Sequence, residues 1–375
     1  MLTKLDDFPV HQTSEPLAVP HTSDRNFYNR TWFNGYSADA SYYFGIGIAI
    51  YPHREIMDCA FSVVRPGDRQ YCFFGSRRIP RDITETEIGP FKMEVSAPMR
   101  RARISLDQNE SGLSCDLTFE ARTQPIQEAR QTLWSGSRRT MDATRFAQFG
   151  EWQGGIEIPS GKIQVVAGDC LGTKDRSWGV RNVGEPELGG ATNRPGGICF
   201  IWAPLFWSDH VSHAVFFDGQ NGEPLVREGL EAPLHLAGDL DTQIIDESAK
   251  KLSASHRIKY EPNTRWAASA EIDLVGLDKT LRTITLQPKL RFMMKGLGYG
   301  HPQWKQGVWK GELETGSDSF EPDQLDPSRP ENLHIQQIVS AEDGNRSGTG
   351  VLEQIVFGPY APAGFAALTD GFVER

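Results

Sequence analysis

Between punctuating glycines and prolines, the chain keeps returning to a two-residue rhythm. The run FGIGIAIYP sets Ile46, Ile48 and Ile50 on one side, and LSCDLTFEAR does the same with Leu113, Cys115, Leu117 and Phe119. Such alternation is the pattern of a strand with one face against a core. Further runs occur at GGIEI, KIQVVAG, GICFIWAPLF, VSHAVFFD, AASAEIDLVG, LRTITLQP and VLEQIVFGP, separated by turn signals such as SGK, DGQNG and GDLD. The expected class is all-β and antiparallel, with little helix.

One segment breaks the rhythm. RRTMDATRFAQFGEW, residues 138–152, follows a Ser/Gly cluster and ends near Gly150, punctuation that predicts a short helix. It falls near the midpoint of a 375-residue chain, long enough for two cores. The expected division is therefore an N-terminal β domain over 1–145 and a C-terminal β domain over 146–375. The Pro- and Asp-rich stretch 318–334 reads as a long surface loop. Many short strands in each half suit closed or nearly closed barrels, which remove edges and enclose a ligand cavity at about eight strands. The 20 Phe, 9 Tyr and 9 Trp would line such a cavity, although ordinary sandwich cores would use them equally well.

Charge and cysteine usage narrow the partners. A net charge of -10 argues against nucleic acid or an anionic membrane surface, leaving a hydrophobic small molecule as the expected partner, with homodimerisation open. No run approaches the roughly 18 apolar residues of a spanning helix, and MLTKLDDFPVHQTSEP lacks the apolar core of a signal peptide. The expectation is a cytoplasmic protein. Cys59, Cys72, Cys115, Cys170 and Cys199 are odd in number and never form CxxC, so each reads as a small buried residue.

Nucleotide and nucleophile signatures do not occur: GIGIAI has no third glycine, and GxxxxGK[ST], GxSxG and HExxH are missing. No cofactor is expected. Asp209, His210 and His213 in WSDHVSH are the nearest approach to a metal set, but positions 210 and 213 of a strand face opposite ways, so no metal site is expected. GYGHPQW places Tyr299 and His301 beside a glycine-rich turn, suited to a pocket rim.

The segment GTKDRSWGVR, residues 172–181, gathers one acid and two arginines. It is either a salt-bridged seam or a site of chemistry. It resembles the Gly-aromatic-x-Asp-His-x-Trp-Gly segment of the carotenoid 1,2-hydratase (hydroxyneurosporene synthase) family and its two-domain lipocalin-like relatives. YYFGIGIAIYP, GEWQGGIEI and GTGVLEQIVFGPYAPAGF resemble segments of a bacterial branch of that superfamily, so nearly the whole chain is covered. The resemblance implies two tandem calycin-type barrels packed side by side, with Asp175 on the second barrel near their interface.

It also implies that Asp175 donates a proton to an isolated double bond of an isoprenoid-like substrate. A carboxyl in an apolar barrel wall is desolvated and keeps its proton near neutrality, and Trp178, Trp202 and Trp207 are the candidates to face the resulting cation. The chain departs from the pattern at Arg176, where the family has His, and at Thr173, where it has an aromatic. Arg181, on the Asp175 side of a strand, is the expected charge partner, with Arg176 on the other side. Glu353 in VLEQIVFGP is the next acid, although the alternation of its strand favours a plain outward-facing Glu. The expected activity is a cofactor-independent lyase or isomerase, covering hydration, dehydration, isomerisation and cyclisation. Three alternatives stand beside it: a pericyclase that folds a polyene, a non-catalytic lipid carrier, and a purely structural brace of Asp175, Arg176 and Arg181.

Overall fold

The computed structural model describes residues 9–186, 196–240, 249–344 and 346–373. It is all-β, with two antiparallel barrels, one nearly closed and one closed. No helix among the described residues is long and apolar enough to cross a membrane.

The first barrel begins with β1 (Phe27–Ser37), β2 (Tyr43–Tyr51), β3 (Ile56–Val64) and β4 (Gln70–Arg78). It continues through β5 (Glu87–Ile88), β6 (Phe91–Ala97), β7 (Arg101–Leu106), β8 (Ser114–Ala121), β9 (Ile126–Gln127) and β10 (Gln131–Ser135). The strands β11 (Arg138–Ile158), β12 (Gly161–Val165) and β13 (Cys170–Arg181) complete its run of chain. β13 lies between β1 and β11, at the centre of the sheet. The sheet curls until β5 meets β4, where a Cβ on Gly75 would come within 2.9 Å of Ile88.

The second barrel comprises β14 (Ile198–Phe206), β15 (His210–Gly219), β16 (Pro224–Pro233), β17 (Lys250–Tyr260), β18 (Ala267–Val275), β19 (Leu281–Met293), β21 (Ile335–Asp343) and β22 (Arg346–Phe357). Between β19 and β21 the chain leaves this barrel, and β20 (Leu313–Phe320) pairs with β4 at the edge of the first sheet. The expected loop over 318–334 therefore opens with strand, and its host segment laces the barrels together.

Residues 138–152 form no helix; they belong to β11, 21 residues long. Its middle is covered on both faces, with Ala147 and Phe149 on one side and Gln148 and Trp152 buried on the other, so the clean alternation of a half-exposed strand is lost. Residue 145, the expected divide, lies inside this strand. The chain leaves the first sheet only after Arg181.

Both barrel interiors are filled. Phe33, Phe44, Ile46, Ile48 and Trp152 belong to the first core, and Cys199, Ile201, Leu205, Leu352 and Val356 to the second. The alternation read in β2 and β8 is the alternation that fills the first barrel. All five cysteines are free and buried. A third apolar layer joins the outer faces of the two barrels, through Trp32, Tyr43, Phe149, Trp202, Phe206, Phe292 and Leu297. Burial on this scale, at about 25 cal/mol per Å² of apolar surface, makes the two barrels one packed unit.

Candidate functional site

A cavity of about 160 Å³ opens inside this joining layer. It lies between the barrels, outside both interiors. The first barrel contributes Arg30, Trp32, Arg145, Asp175, Ser177 and Arg181, and the second Phe200, Trp202, Phe217, His334, Glu353 and Ile355. Tyr299 comes from the crossing segment.

Ladder register explains why these side chains converge. Asp175 stands opposite Trp32 on β1 and Ala147 on β11, and Ser177 stands opposite Arg30 and Arg145. Directly opposed residues of an antiparallel pair share a face, so Arg30, Trp32, Arg145, Asp175 and Ser177 all look toward the second barrel. There Trp202 opposes Glu353, and Phe200 opposes Ile355, on the outer face of β14 and β22. Trp32 and Trp202 meet edge to face across the barrels at 5.8 Å.

Arg145 links two acids in the wall. Its Nε lies 3.7 Å from Asp175 Oδ2 and 3.8 Å from Glu128 Oε2. Glu128 also lies 3.0 Å from His213 Nε2 and accepts from Trp202 Nε1 at 3.4 Å. Burial opposes ionisation of Glu128, yet Arg145 and then His213 hold its carboxyl below the usual range. Asp175 goes the other way. Burial pushes its carboxyl up to about 6, against the pull of Arg145 and with added repulsion from Glu128 and Glu353. Two acids around one guanidinium are thus driven apart, one held ionised and the other inclined to keep its proton.

Across the cavity, Glu353 Oε1 lies 2.6 Å from His334 Nε2, and Gln336 Nε2 donates to Glu353 Oε2 at 2.6 Å. Tyr43 donates its hydroxyl to Gln336 Oε1. The Glu353 carboxylate is fixed at both oxygens. Several buried polar atoms around the cavity have no hydrogen-bond partner among the described residues, namely Arg30 Nε, Trp32 Nε1, Glu128 Oε2, Gln131 Nε2 and Oε1, and Arg145 Nε. Buried polar groups are ordinarily satisfied. Such a concentration suits a polar occupant.

A family model matches residues 2–366 of the chain. The chain belongs to DUF8625, a family of unknown function. No curated protein matches it. Solved structures with a similar fold include a candidate AttH from Nitrosomonas europaea, at TM-score 0.54 and 11% identity over 93% of this chain and 98% of that one. CghA matches at TM-score 0.51 and 11% identity, over 93% and 90% of the two chains. Kievitone hydratase from Nectria haematococca matches at TM-score 0.50 and 10% identity, over 95% of each chain. At such identities the likeness shows the fold, which this DUF8625 chain shares as a tandem lipocalin-like architecture.

Several expected site residues stand elsewhere in the DUF8625 structure. Asp175 is on the first barrel, because β13 pairs with β1 and β11. Its charge partner is Arg145, while Arg181 donates to Gln306 at 2.8 Å and stacks over Tyr28. Arg176 projects from the opposite face of β13, donating to Asn29 Oδ1 and to the Arg30 carbonyl. Trp178 shares that face and is 38% exposed beside Phe146. Trp207 belongs to the second barrel's core layer, donates to Ser212 and stacks on His210. His301 packs on Phe74, with Nε2 3.1 Å from Asp318. Asp209 and His210 pair at 2.6 Å, while His213 turns to Glu128.

Asp175, Arg181, Trp202, Tyr299 and Glu353 do line the cavity. Sequence reasoning missed Arg30, Trp32, Glu128, Arg145 and His334. For the first two a signal existed: Tyr28, Arg30 and Trp32 alternate in FYNRTWF, placing a cation and two aromatics on one face.

Proposed function

We propose that the inter-barrel cavity is the active site of a cofactor-independent enzyme that protonates a carbon–carbon double bond of a hydrophobic small molecule. The observation that carries this reading is the Asp175 carboxyl, pushed up to about 6 and facing an aromatic cavity wall. A carboxyl whose titration is raised toward neutrality keeps a protonated fraction there and can act as a general acid.

The proton leaves an Asp175 carboxyl oxygen for one alkene carbon, and the alkene π pair forms the new C–H bond. Positive charge then develops on the other carbon. The rings of Trp32 and Trp202 line the cavity where that charge forms, and aromatic faces stabilise cations by about 0.5–2 kcal/mol. Glu353, oriented by His334 and Gln336, is the base. It takes a proton from an attacking water in hydration, or from an adjacent carbon in isomerisation.

The presence of a hydratase among proteins of this fold supports the reading, as does the resemblance of GTKDRSWGVR to the carotenoid hydratase segment. The size of the cavity limits the substrate. A cavity of about 150 Å³ holds a benzene-sized molecule, so about 160 Å³ accepts one ring or one short isoprenoid end, with the remainder of a longer chain outside. The ionisable lining also sets this cavity apart from the smooth apolar interior of a lipid carrier.

The test is mass spectrometry of an organic extract of the purified protein, followed by incubation of the identified compound in deuterated water. Deuterium at a former alkene carbon, lost in Asp175→Asn, is the expected result. Release of the compound unchanged by the wild-type protein would retire the reading in favour of a carrier.

A further inference from the structure

Two cavity arginines play no part in the proton transfer. Arg30 is 3% exposed, donates through one terminal nitrogen to the Tyr299 hydroxyl at 2.8 Å, and leaves Nε without a partner. Arg181 donates one terminal nitrogen to Gln306, lies over the rings of Tyr28 and Tyr299, and likewise leaves Nε unpartnered. Among the described residues neither guanidinium has a carboxylate within ion-pair distance. The nearby acid Asp58 is occupied by the Gly307 amide and the Tyr51 hydroxyl. Asp58 feels both cations and Asp175 feels Arg30, but only at a distance, and a buried cation is costly without a closely paired anion, such as Arg145 has in Asp175 and Glu128.

The placement of this pair adds a second observation. Arg181 and Tyr299 line both the inner cavity and an outer chamber of about 550 Å³. Arg181 and Lys305 line the outer chamber, where Glu185 is paired with Arg54, in a chain whose net charge is -10. Among the described residues, cations thus stand where the outer chamber adjoins the cavity that holds Asp175.

We infer that the substrate is an unsaturated carboxylate, its anionic group held at the cavity mouth by Arg30, Tyr299 and Arg181 and its apolar end reaching Trp32, Trp202 and Asp175. Guanidinium groups bind carboxylates through paired charge-assisted hydrogen bonds. Anchoring one end in this way turns the reacting alkene toward the acid, which is where positioning accelerates a reaction. The inference deepens the proposed function and rests on it for the identity of the reacting end, but the anion preference can be tested without turnover.

The probes are geranic acid and geraniol, matched in carbon skeleton and differing in charge, with binding followed by calorimetry at pH 8. Geranate is expected to bind at least about tenfold more tightly, equal to about 1.4 kcal/mol, and to weaken as salt is raised, whereas geraniol should not weaken. Arg181→Gln should abolish the preference by weakening geranate alone, and Tyr299→Phe should reduce it. Should Arg181→Gln fail to fold, the wild-type salt dependence and Tyr299→Phe still decide the matter. Equal affinities for the two probes, or no binding of geranate, would overturn the inference. Asp175→Asn separates the two claims: a retained geranate preference with unimpaired turnover of the natural compound would remove Asp175 from the mechanism and leave the anion site standing.

Discussion

Arg145 Nε lies 3.7 Å from Asp175 Oδ2, on the diagonal of the β11–β13 ladder, where Arg145 itself stands opposite Ser177. The pair is loose, and Arg145 is shared with Glu128 at 3.8 Å. Its attraction does not outweigh burial, and the Asp175 carboxyl is raised. That balance separates an acid from a brace.

Asp175→Asn tests it through stability. A carboxyl raised in the folded protein contributes stability that is fully present below its unfolded pKa and lost as pH rises through the folded value. With Asp175 at about 6 against 3.8 for an ordinary aspartate, the charged form works against folding at pH 8. Asn, which is never charged, should make the protein more stable there by at most about 3 kcal/mol. The gain should shrink between pH 6 and 4 and be absent below. Urea unfolding at pH 4, 6 and 8 reads it directly. A loss of about 3–5 kcal/mol at pH 8 instead would identify Asp175 as half of a structural ion pair.

The same titration governs turnover. If protonated Asp175 is the active form, kcat/KM should fall about tenfold per unit as pH rises above about 6. Asp175→Asn should lower the rate by roughly a hundredfold or more and lack this limb altogether. A pH profile with the same falling limb in the Asn variant would assign it to another group.

Removing Arg145 should have the opposite effect on stability. Arg145→Gln leaves Glu128 buried without its guanidinium, a situation that costs about 3–5 kcal/mol. Glu128→Gln in the same chain should recover much of that loss, because the uncompensated charge is gone. Equilibrium unfolding of the two single variants and the double variant gives the coupling. Additive losses would show that the two side chains do not interact.

Glu353→Gln tests the base. Its two oxygens are held by His334 and Gln336, so the substitution removes the charge at nearly constant volume. Turnover should drop by about 10²–10⁴, with binding of the substrate nearly unchanged. A raised KM at full kcat would make Glu353 a binding group.

Gly47 makes room for Arg30. A Cβ there would stand 2.6 Å from an Arg30 terminal nitrogen, so Gly47→Ala should displace the guanidinium from Tyr299 while β2 persists. Binding of a carboxylate ligand should weaken several-fold, and calorimetry against the wild type measures it. An unchanged affinity would show that Arg30 reaches the ligand from another rotamer.

The order of residues along the chain carries the all-β class and draws attention to Asp175. The alternation of Ile46, Ile48 and Ile50 is a local property of a strand packed on one face, and it survives into the fold as the lining of the first core. Asp175 was legible because its whole segment resembles a family motif. Where both faces of a strand are covered the alternation vanishes, and residues 138–152 then read as a helix although they lie within β11. Only the packed fold brings Asp175 to Arg145 and to Glu353. Arg145 reaches Asp175 through a ladder linking distant stretches of chain, and Glu353 reaches the same cavity from the other barrel. It also decided that the cavity lies between the barrels: period two says which residues share a face, but only packing says whether that face looks into a barrel or across to a neighbour.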